Sequence, residues 1–217
     1  MTSLKEILAE TSAQGIKRIP PEALEIMIES ANELDAQGVG DQALKPGDMM
    51  PDMTLTDAHG NSVNTASLYT DGPAIITFYR GGWCPYCNLE LKAYQDMLAD
   101  IKALGGALAA ITPEKPDNSL NTAEKNELAF PVLTDTGNKF AQSLGLVFEL
   151  PEKLQKIYAG FGMDLEALND ESGWTLPIPA TFVVKKGGQI VLADVNRDYR
   201  LRLEPTTALD ALKSVNA

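Results

Sequence analysis

The sequence predicts an α/β fold of three layers, in which a central mixed β-sheet is flanked by helices and preceded by an N-terminal helical extension. From residue 73 onward, apolar β-branched runs alternate with helical patterns, as is typical of a sheet covered by helices. Two late strands joined by Lys185-Lys186-Gly187-Gly188 predict a hairpin, which makes the sheet mixed. We therefore expect an extension over residues 1–43 and one domain over residues 44–217.

The composition indicates which classes of partner the protein can bind and in which compartment it acts. The 217 residues suffice for a core without disulfides or a structural metal, and 30 acidic against 18 basic residues give a net charge of −12. Such an acidic chain is a poor ligand for nucleic acid or an anionic membrane. No run of 18 apolar residues and no secretory signal pattern occurs, so we expect a cytoplasmic protein that does not span a membrane.

The extension is expected to be helical over residues 4–38. Its second part starts at a proline pair and reaches Gly38, a residue that commonly follows a helix. The apolar residues recur at helical spacing: Leu24, Met27, Ile28, Ala31 and Leu34. This face is either a partner or homodimer surface or a face packed on the chain's own domain, and we favour packing.

Within the domain, hydrophobic periodicity predicts the remaining elements in order. They are strands at 53–55, 73–79, 107–111, 131–133, 181–184 and 189–193, and helices at 85–104, 118–128, 137–144, within 150–173 and around Leu209 and Leu212. His59 lies in the turn Asp57–Asn61 after the first strand, where we expect a loop residue rather than a catalytic one.

The chain has only two cysteines, Cys84 and Cys87, separated by two residues. A disulfide framework requires more cysteines spread along the chain, and a zinc site normally requires four Cys or His ligands. His59 is the only histidine. We therefore expect no metal and no cofactor.

The segment around these cysteines predicts redox chemistry. A strand ends, Gly81 and Gly82 form a tight turn, and a helix begins with Cys84 at its N-terminus. Free amides and the helix dipole there lower a thiol pKa, and Arg80 adds a nearby positive charge. Cys87 lies one turn later, so Cys84 is the expected attacking cysteine and Cys87 the resolving one. The alternative, two structural cysteines that happen to be close, is disfavoured by the strand–helix junction.

The run Trp83-Cys84-Pro85-Tyr86-Cys87 resembles the active sites of the thioredoxin superfamily. Ile178-Pro179 resembles the downstream segment that carries a cis-proline opposite the redox helix in that superfamily. The resemblance implies a thioredoxin-like fold, a cis Ile178–Pro179 bond, and a substrate site at Trp83, Tyr86, Ile178 and Pro179. A trans proline that opens a strand is the alternative.

Within this superfamily, residues 44–200 resemble the peroxiredoxin and alkyl hydroperoxide reductase group. Similar segments occur in order: Lys45-Pro46-Gly47-Asp48, Pro51–Leu55, Leu104-Gly105-Gly106, Ile111-Thr112-Pro113 and Phe130–Asp135. The resemblance implies reduction of hydrogen peroxide or organic hydroperoxides, with a thioredoxin-type thiol protein as the reductant.

The site also departs from that group. Thr77 and Gly81 stand where peroxiredoxins place a proline and a Thr or Ser, and Pro179 stands where they place an arginine. Arg80 is either a replacement cation, with Tyr79 or Thr77 as its hydrogen-bonding companion, or a solvated loop charge. Thioredoxins place a buried acid where Phe78 stands, so a proton acceptor for Cys87 must come from elsewhere.

Three hypotheses follow. The first is a thiol-dependent peroxidase that uses Cys84 and Cys87 and is recycled by a thioredoxin-type reductant. The second is a thiol–disulfide oxidoreductase acting on protein or small-molecule disulfides. The third is a redox sensor, which a buried and unreactive Cys84 would favour.

Overall fold

A computed structural model describes residues 2–215 as nine α-helices and nine β-strands, with short 3₁₀ turns at 65–68 and 136–138. The helices are α1 (Leu4–Ile16), α2 (Pro21–Ala36), α3 (Pro85–Asp96), α4 (Leu98–Ala103), α5 (Pro116–Lys125), α6 (Lys139–Ser143), α7 (Glu152–Gly160), α8 (Leu165–Leu168) and α9 (Pro205–Ser214). The strands are β1 (Thr54–Asp57), β2 (Ser62–Asn64), β3 (Ala74–Phe78), β4 (Ala107–Thr112), β5 (Val132–Thr134), β6 (Val147–Glu149), β7 (Thr175–Pro177), β8 (Ala180–Val184) and β9 (Ile190–Val195).

The main sheet has seven strands in the order β2-β1-β5-β4-β3-β8-β9. Strand β3 is parallel to β4 on one side and antiparallel to β8 on the other, and β8 pairs with β9 as an antiparallel hairpin. The predicted mixed sheet and the predicted hairpin are therefore confirmed.

The two faces of the sheet bury separate cores because side chains alternate along each strand. On β3, Ile75 faces a core shared with Leu91 of α3 and Leu212 of α9. Ile76 faces the other core, which contains Phe140 of α6. Helices thus cover both faces, and the predicted three-layer arrangement is confirmed.

The extension is helical, as expected, and it packs on the domain. A capping box starts α1, in which Ser3 Oγ accepts a hydrogen bond from the amide of Glu6 at 3.2 Å. Leu4 and Leu8 are buried in the same core as Leu91. The first helix of the extension thus shares a core with the domain, and the boundary between residues 43 and 44 stays a prediction.

The predicted apolar face of α2 is only partly correct. Ala23 and Ser30 are buried, whereas Ile28 is 54% exposed. Helix α2 packs against α7, where Lys153 forms ion pairs with Glu29 at 2.9 Å and Glu33 at 2.8 Å. The buried stripe is therefore rotated from the expected one, toward α7.

One predicted helix differs from the structure, and one small sheet was not predicted. The predicted helix 85–104 is broken at Met97, whose φ of −101° and ψ of 1° leave the helical range, so α3 and α4 are separate. The small antiparallel sheet of β6 and β7 was not predicted, because each strand has three residues and shows too little alternation to be recognised.

The Ile178–Pro179 bond is trans, so the cis expectation is wrong: residues 2–215 contain no cis peptide bond. The segment runs extended from β7 into β8. The amide of Ile178 donates to Leu146 O at 2.8 Å, and Pro179 O accepts from the amide of Asn196 at 3.2 Å. These bonds fix a straight connection, which the intrinsically favoured trans isomer satisfies.

None of the helices described in residues 2–215 is both long and apolar enough to cross a membrane.

Candidate active site

The loop between β3 and α3 depends on a pair of glycines. Gly81 has a φ of 149°, and a Cβ added there would lie 2.3 Å from Trp83 Nε1. A Cβ added to Gly82 would lie 2.1 Å from Thr122 Oγ1. The glycine pair therefore lets the loop pass close to α5 and turn directly into the helix that carries the cysteines.

Side chains from other elements hold this loop. The amide of Gly82 donates to Glu114 Oε2 at 2.7 Å, and Asn88 Nδ2 donates to Gly82 O at 2.8 Å. Asn126 Nδ2 in turn donates to Asn88 Oδ1 at 2.7 Å. The position of Cys84 is thus fixed from both sides of the loop.

Cys84 caps the N-terminus of α3, with Pro85 in the first turn, as the sequence predicts. Both cysteines are free thiols, 1% exposed for Cys84 and 0% for Cys87. Burial by itself would raise the pKa of Cys84, but a hydrogen bond from Cys87 and the charges of Arg80 and Arg202 lower it to about 6. Burial raises the pKa of Cys87 well above its usual value, and the neighbouring Cys84 raises it further. The two thiols therefore differ in the direction that attack and resolution require.

Arg80 is not a solvated loop charge, because its side chain is buried at 3% exposure. Its guanidinium lies 4.8 Å from the ring centroid of Trp83, 4.3 Å from that of Tyr199 and 5.6 Å from that of Tyr158. It also donates a hydrogen bond to the Tyr158 hydroxyl. Its Nε has no hydrogen-bond partner among residues 2–215, so one buried donor is available to a ligand.

A second arginine contacts the second cysteine. Arg202 Nη2 lies 3.3 Å from Cys87 Sγ, and Arg202 Nε donates to Glu90 Oε2 at 2.6 Å. Both partners of this ion pair are buried, with side chains 2% and 1% exposed. The hydroxyls of Thr77 and Thr181 lie 3.5 Å from the other oxygen of Glu90.

Two buried acids flank the cysteines. Burial raises the pKa of Glu90 to about 7, against the attraction of Arg202. Burial also raises the pKa of Glu114 to about 7, although the amide of Gly82 stabilises its ionised form. Both carboxyl groups can therefore exchange protons near neutral pH.

The structure brings some of the predicted site residues together and separates others. Arg80, Ile178 and Pro179 line one cavity of about 50 Å³. Trp83 packs on Arg80, whereas Tyr86 packs edge-on against Tyr199, with ring centroids 5.6 Å apart, and lines a separate cleft of about 300 Å³ beside α1 and α2. Neither cysteine lines the cavity or the cleft, and Cys84 is 1% exposed, so a ligand reaches its sulfur only when neighbouring side chains move.

Several residues of this site were not predicted from the sequence: Glu90, Glu114, Tyr158, Tyr199 and Arg202. One signal was present, because Glu90 lies on the buried face of α3 between Cys87 and Tyr94. A charged residue on a buried helix face is rare unless it is paired. Arg202 and Tyr199 come from the irregular segment after β9, where no periodicity marks them.

Within residues 2–215, no group of His, Cys, Asp and Glu side chains is arranged to hold a metal ion.

Residues 46–193 match the model of the AhpC/TSA family. A Mycobacterium tuberculosis protein provisionally named a peroxiredoxin is 30% identical over 153 residues, which are 70% of this chain and 86% of that protein. Peroxiredoxin Bcp of Escherichia coli is 27% identical over 48% of this chain and 65% of its own length. The crystal structure of peroxidoxin BcpB from Mycobacterium tuberculosis shares the fold, with a TM-score of 0.63 and 20% identity over 80% of this chain and 99% of that one. The chain therefore belongs to the AhpC/TSA family and is a peroxiredoxin-type oxidoreductase with a thioredoxin-like fold.

Proposed function

We propose that this protein is a thiol-dependent peroxidase in which Cys84 attacks the peroxide and Cys87 resolves the product. The Cys84 thiolate attacks one peroxide oxygen, the O–O bond breaks, and the leaving oxygen takes a proton to become water or an alcohol. Cys84 is then a sulfenic acid. The Cys87 sulfur attacks it, the S–O bond breaks, and a disulfide and water form.

The observation that carries this proposal is the buried Arg80 with an unpaired Nε–H, close enough to Cys84 for its charge to lower the pKa of that thiol. At neutral pH Cys84 is mostly thiolate, the nucleophilic form. A fixed donor in a water-poor site stabilises the charge that develops on a breaking O–O bond. Arg80 therefore supplies the cation that this chain lacks at position 179.

The burial of Cys84 distinguishes the alternatives. Cys84 is 1% exposed, and a small peroxide needs a smaller opening to reach its sulfur than a protein disulfide, which must approach that sulfur in line. The relatives are also peroxiredoxins, which disfavours the disulfide oxidoreductase. A buried and unreactive Cys84 would favour the redox sensor. Cys84 is buried, but its lowered pKa favours a reactive thiolate.

The remaining parts of the proposal concern partners and location. A thioredoxin-type dithiol protein reduces the Cys84–Cys87 disulfide by attack on Cys84, and Cys87 leaves as the thiol. The acidic chain acts in the cytoplasm without nucleic acid or membrane. A homodimer is compatible with the exposed Ile28 on α2.

The test is stopped-flow oxidation of the fully reduced protein by hydrogen peroxide, followed by tryptophan fluorescence. Trp83 adjoins Cys84 and stacks on Arg80, so oxidation should change its emission. We expect a fast phase that is absent in Cys84→Ser and retained in Cys87→Ser, which should then hold a sulfenic acid. A wild-type rate no greater than that of a free thiol would overturn the proposal, and rapid reduction of insulin disulfides would replace it with the oxidoreductase.

A further inference from the structure

Arg202 reaches the resolving cysteine from outside the segment that matches the family model, which ends at residue 193. We infer that Arg202, held by Glu90, activates Cys87 for the second step of catalysis. This inference rests on the proposed peroxidase function. Arg202 contacts the reacting sulfur and is thus a catalytic residue, whereas Glu90 acts through it as a positioning residue.

The guanidinium of Arg202 has a fixed direction. Its Nε donates to Glu90, and its Nη1 donates to Tyr199 O and, at 2.7 Å, to Leu201 O. The remaining nitrogen, Nη2, points at Cys87 Sγ. Because the other two guanidinium nitrogens, Nε and Nη1, already donate hydrogen bonds, the Arg202 side chain cannot turn away from the sulfur without losing them.

Arg80 and Arg202 act most strongly on different sulfurs. Besides burial and the neighbouring thiol, the strongest charge acting on Cys84 is that of Arg80, whereas the strongest cation acting on Cys87 is Arg202. The geometry agrees, since the contact of Arg202 is with Cys87, while Arg80 packs among Trp83, Tyr158 and Tyr199. Both arginines act on both thiols, but the cation with the largest effect differs between the two sulfurs.

This division orders the two steps. In the reduced protein the Cys84 thiolate opposes ionisation of Cys87 and keeps its proton on. Oxidation converts Cys84 to a neutral sulfenic acid, which removes that negative charge, while Arg202 remains. Cys87 then loses its proton, its sulfur bonds to Cys84, and the departing hydroxide leaves as water. In the later reduction, a thiolate of the dithiol reductant attacks Cys84 and the Cys84–Cys87 bond breaks. Cys87 leaves as a thiolate beside Arg202 and then takes up a proton to become the thiol.

Glu90 sets the strength of this effect because it holds Arg202 without touching Cys87. Arg202 faces it from the segment after β9, Cys87 and Tyr94 lie on its own helix, Thr77 and Thr181 lie on β3 and β8, and Asp194 on β9 adds a negative charge. Replacing Glu90 with Gln removes the charge that holds Arg202 but keeps the size and an acceptor. We therefore expect a smaller effect from Glu90→Gln than from Arg202→Met.

The first experiment separates the two steps in a single turnover with hydrogen peroxide at about pH 8, which lies well above the Cys84 pKa of about 6 in the wild-type protein. For Arg202→Met we expect the rate of the first phase to stay within about threefold of wild type and the rate of the second phase to fall at least about tenfold. The reason is that each unit by which the Cys87 pKa rises lowers its thiolate fraction about tenfold. Dimedone should trap the longer-lived sulfenic acid. Arg202→Lys should recover part of the second-phase rate, because it restores the charge.

The matched control is Arg200→Met, which removes an arginine two residues away that pairs with Asp198 at 2.8 Å and is partly exposed. It should change neither phase. Because Arg202→Met leaves Glu90 buried without its partner, the double variant Glu90→Gln with Arg202→Met provides a folded alternative with neither charge. It should show the same slow second phase.

The second experiment does not use peroxide. In a Cys84→Ser background, ultraviolet titration of the one remaining thiol should give a Cys87 pKa below the pKa of Cys87 in the wild-type protein. Adding Arg202→Met to this background should raise the Cys87 pKa by about one unit or more. A wild-type protein with no fast first phase would contradict the peroxidase itself. An intact first phase, with an unchanged second phase in Arg202→Met and an unchanged Cys87 pKa, would overturn the role of Arg202.

Discussion

The guanidinium of Arg80 donates a hydrogen bond to the hydroxyl of Tyr158, and this contact joins the cysteine loop to helix α7. Tyr158 belongs to a core cluster with Leu154 and Leu165, outside the main sheet. Helix α7 also carries Lys153, which pairs with two glutamates of α2. The cation beside Cys84 is thus positioned by elements that lie far from it in the chain.

Tyr158→Phe tests this positioning. The ring and its packing remain, but Arg80 loses its acceptor, so we expect a slower first phase of peroxide oxidation, by about threefold to tenfold, and a stability loss of about 1 kcal/mol. Stopped-flow fluorescence and urea unfolding measure the two effects. Tyr69→Phe, which removes a buried hydroxyl near Met50 O on the other core, is the control and should leave the first phase unchanged. Equal rates in both variants would contradict the positioning role.

The pH profile of the first phase should follow the pKa of Cys84. Because that pKa is about 6, the rate should be half-maximal near that pH and level above neutrality. Arg80→Met removes a charge that lowers this pKa, so its profile should move to higher pH. Arg80→Lys retains the charge and should keep the midpoint closer to that of wild type while losing rate. A wild-type midpoint at the usual thiol value would contradict the arrangement of cations described here.

The sequence predicted the part of the site that is local in the chain. The order of Gly81, Gly82, Cys84 and Cys87 at a strand–helix junction determines the turn, the capped helix and the spacing of the two sulfurs. The alternating strands and the closing hairpin were predictable for the same reason, since each depends on residues close in sequence.

The electrostatic part of the site could not be predicted in this way. Arg202 lies 115 residues from Cys87 and Tyr158 lies 78 residues from Arg80, and no local pattern reports such contacts. The trans Ile178–Pro179 bond is another example, because hydrogen bonds to Leu146 and from Asn196 fix that segment. One residue of the electrostatic part could have been recognised from the sequence, because Glu90 is an acid on the apolar face of helix α3.

Glu114 should make stability depend on pH. Its pKa is raised from 4.5 to about 7, so between these values the folded state holds more protons than the unfolded state and stability falls as pH rises. Glu114→Gln removes this dependence while keeping an acceptor for the amide of Gly82. We expect the variant to gain about 1 to 3 kcal/mol relative to wild type on going from about pH 5 to about pH 7.5.

Urea unfolding at the two pH values measures this gain, and comparison with wild type cancels the opposite contribution of Cys84, whose lowered pKa adds stability above pH 6. The exposed Glu124 on α5 provides the control. Glu124→Gln should shift stability equally at both pH values. A Glu114→Gln variant that does the same would show that this carboxyl is not perturbed.

The extension should unfold together with the domain, and two neighbouring residues of α1 can decide this. Leu8 is 3% exposed and lies in the core that also contains Cys84, whereas Ile7 is 36% exposed. Leu8→Ala should cost about 2 to 5 kcal/mol in a single cooperative transition, because it leaves a cavity in that shared core. Ile7→Ala should change stability by less than about 0.5 kcal/mol. If the two variants were equally stable, or if Leu8→Ala produced a separate early transition, α1 would be an appendage, and the division at residue 43 would be a true domain boundary rather than a change of element within one core.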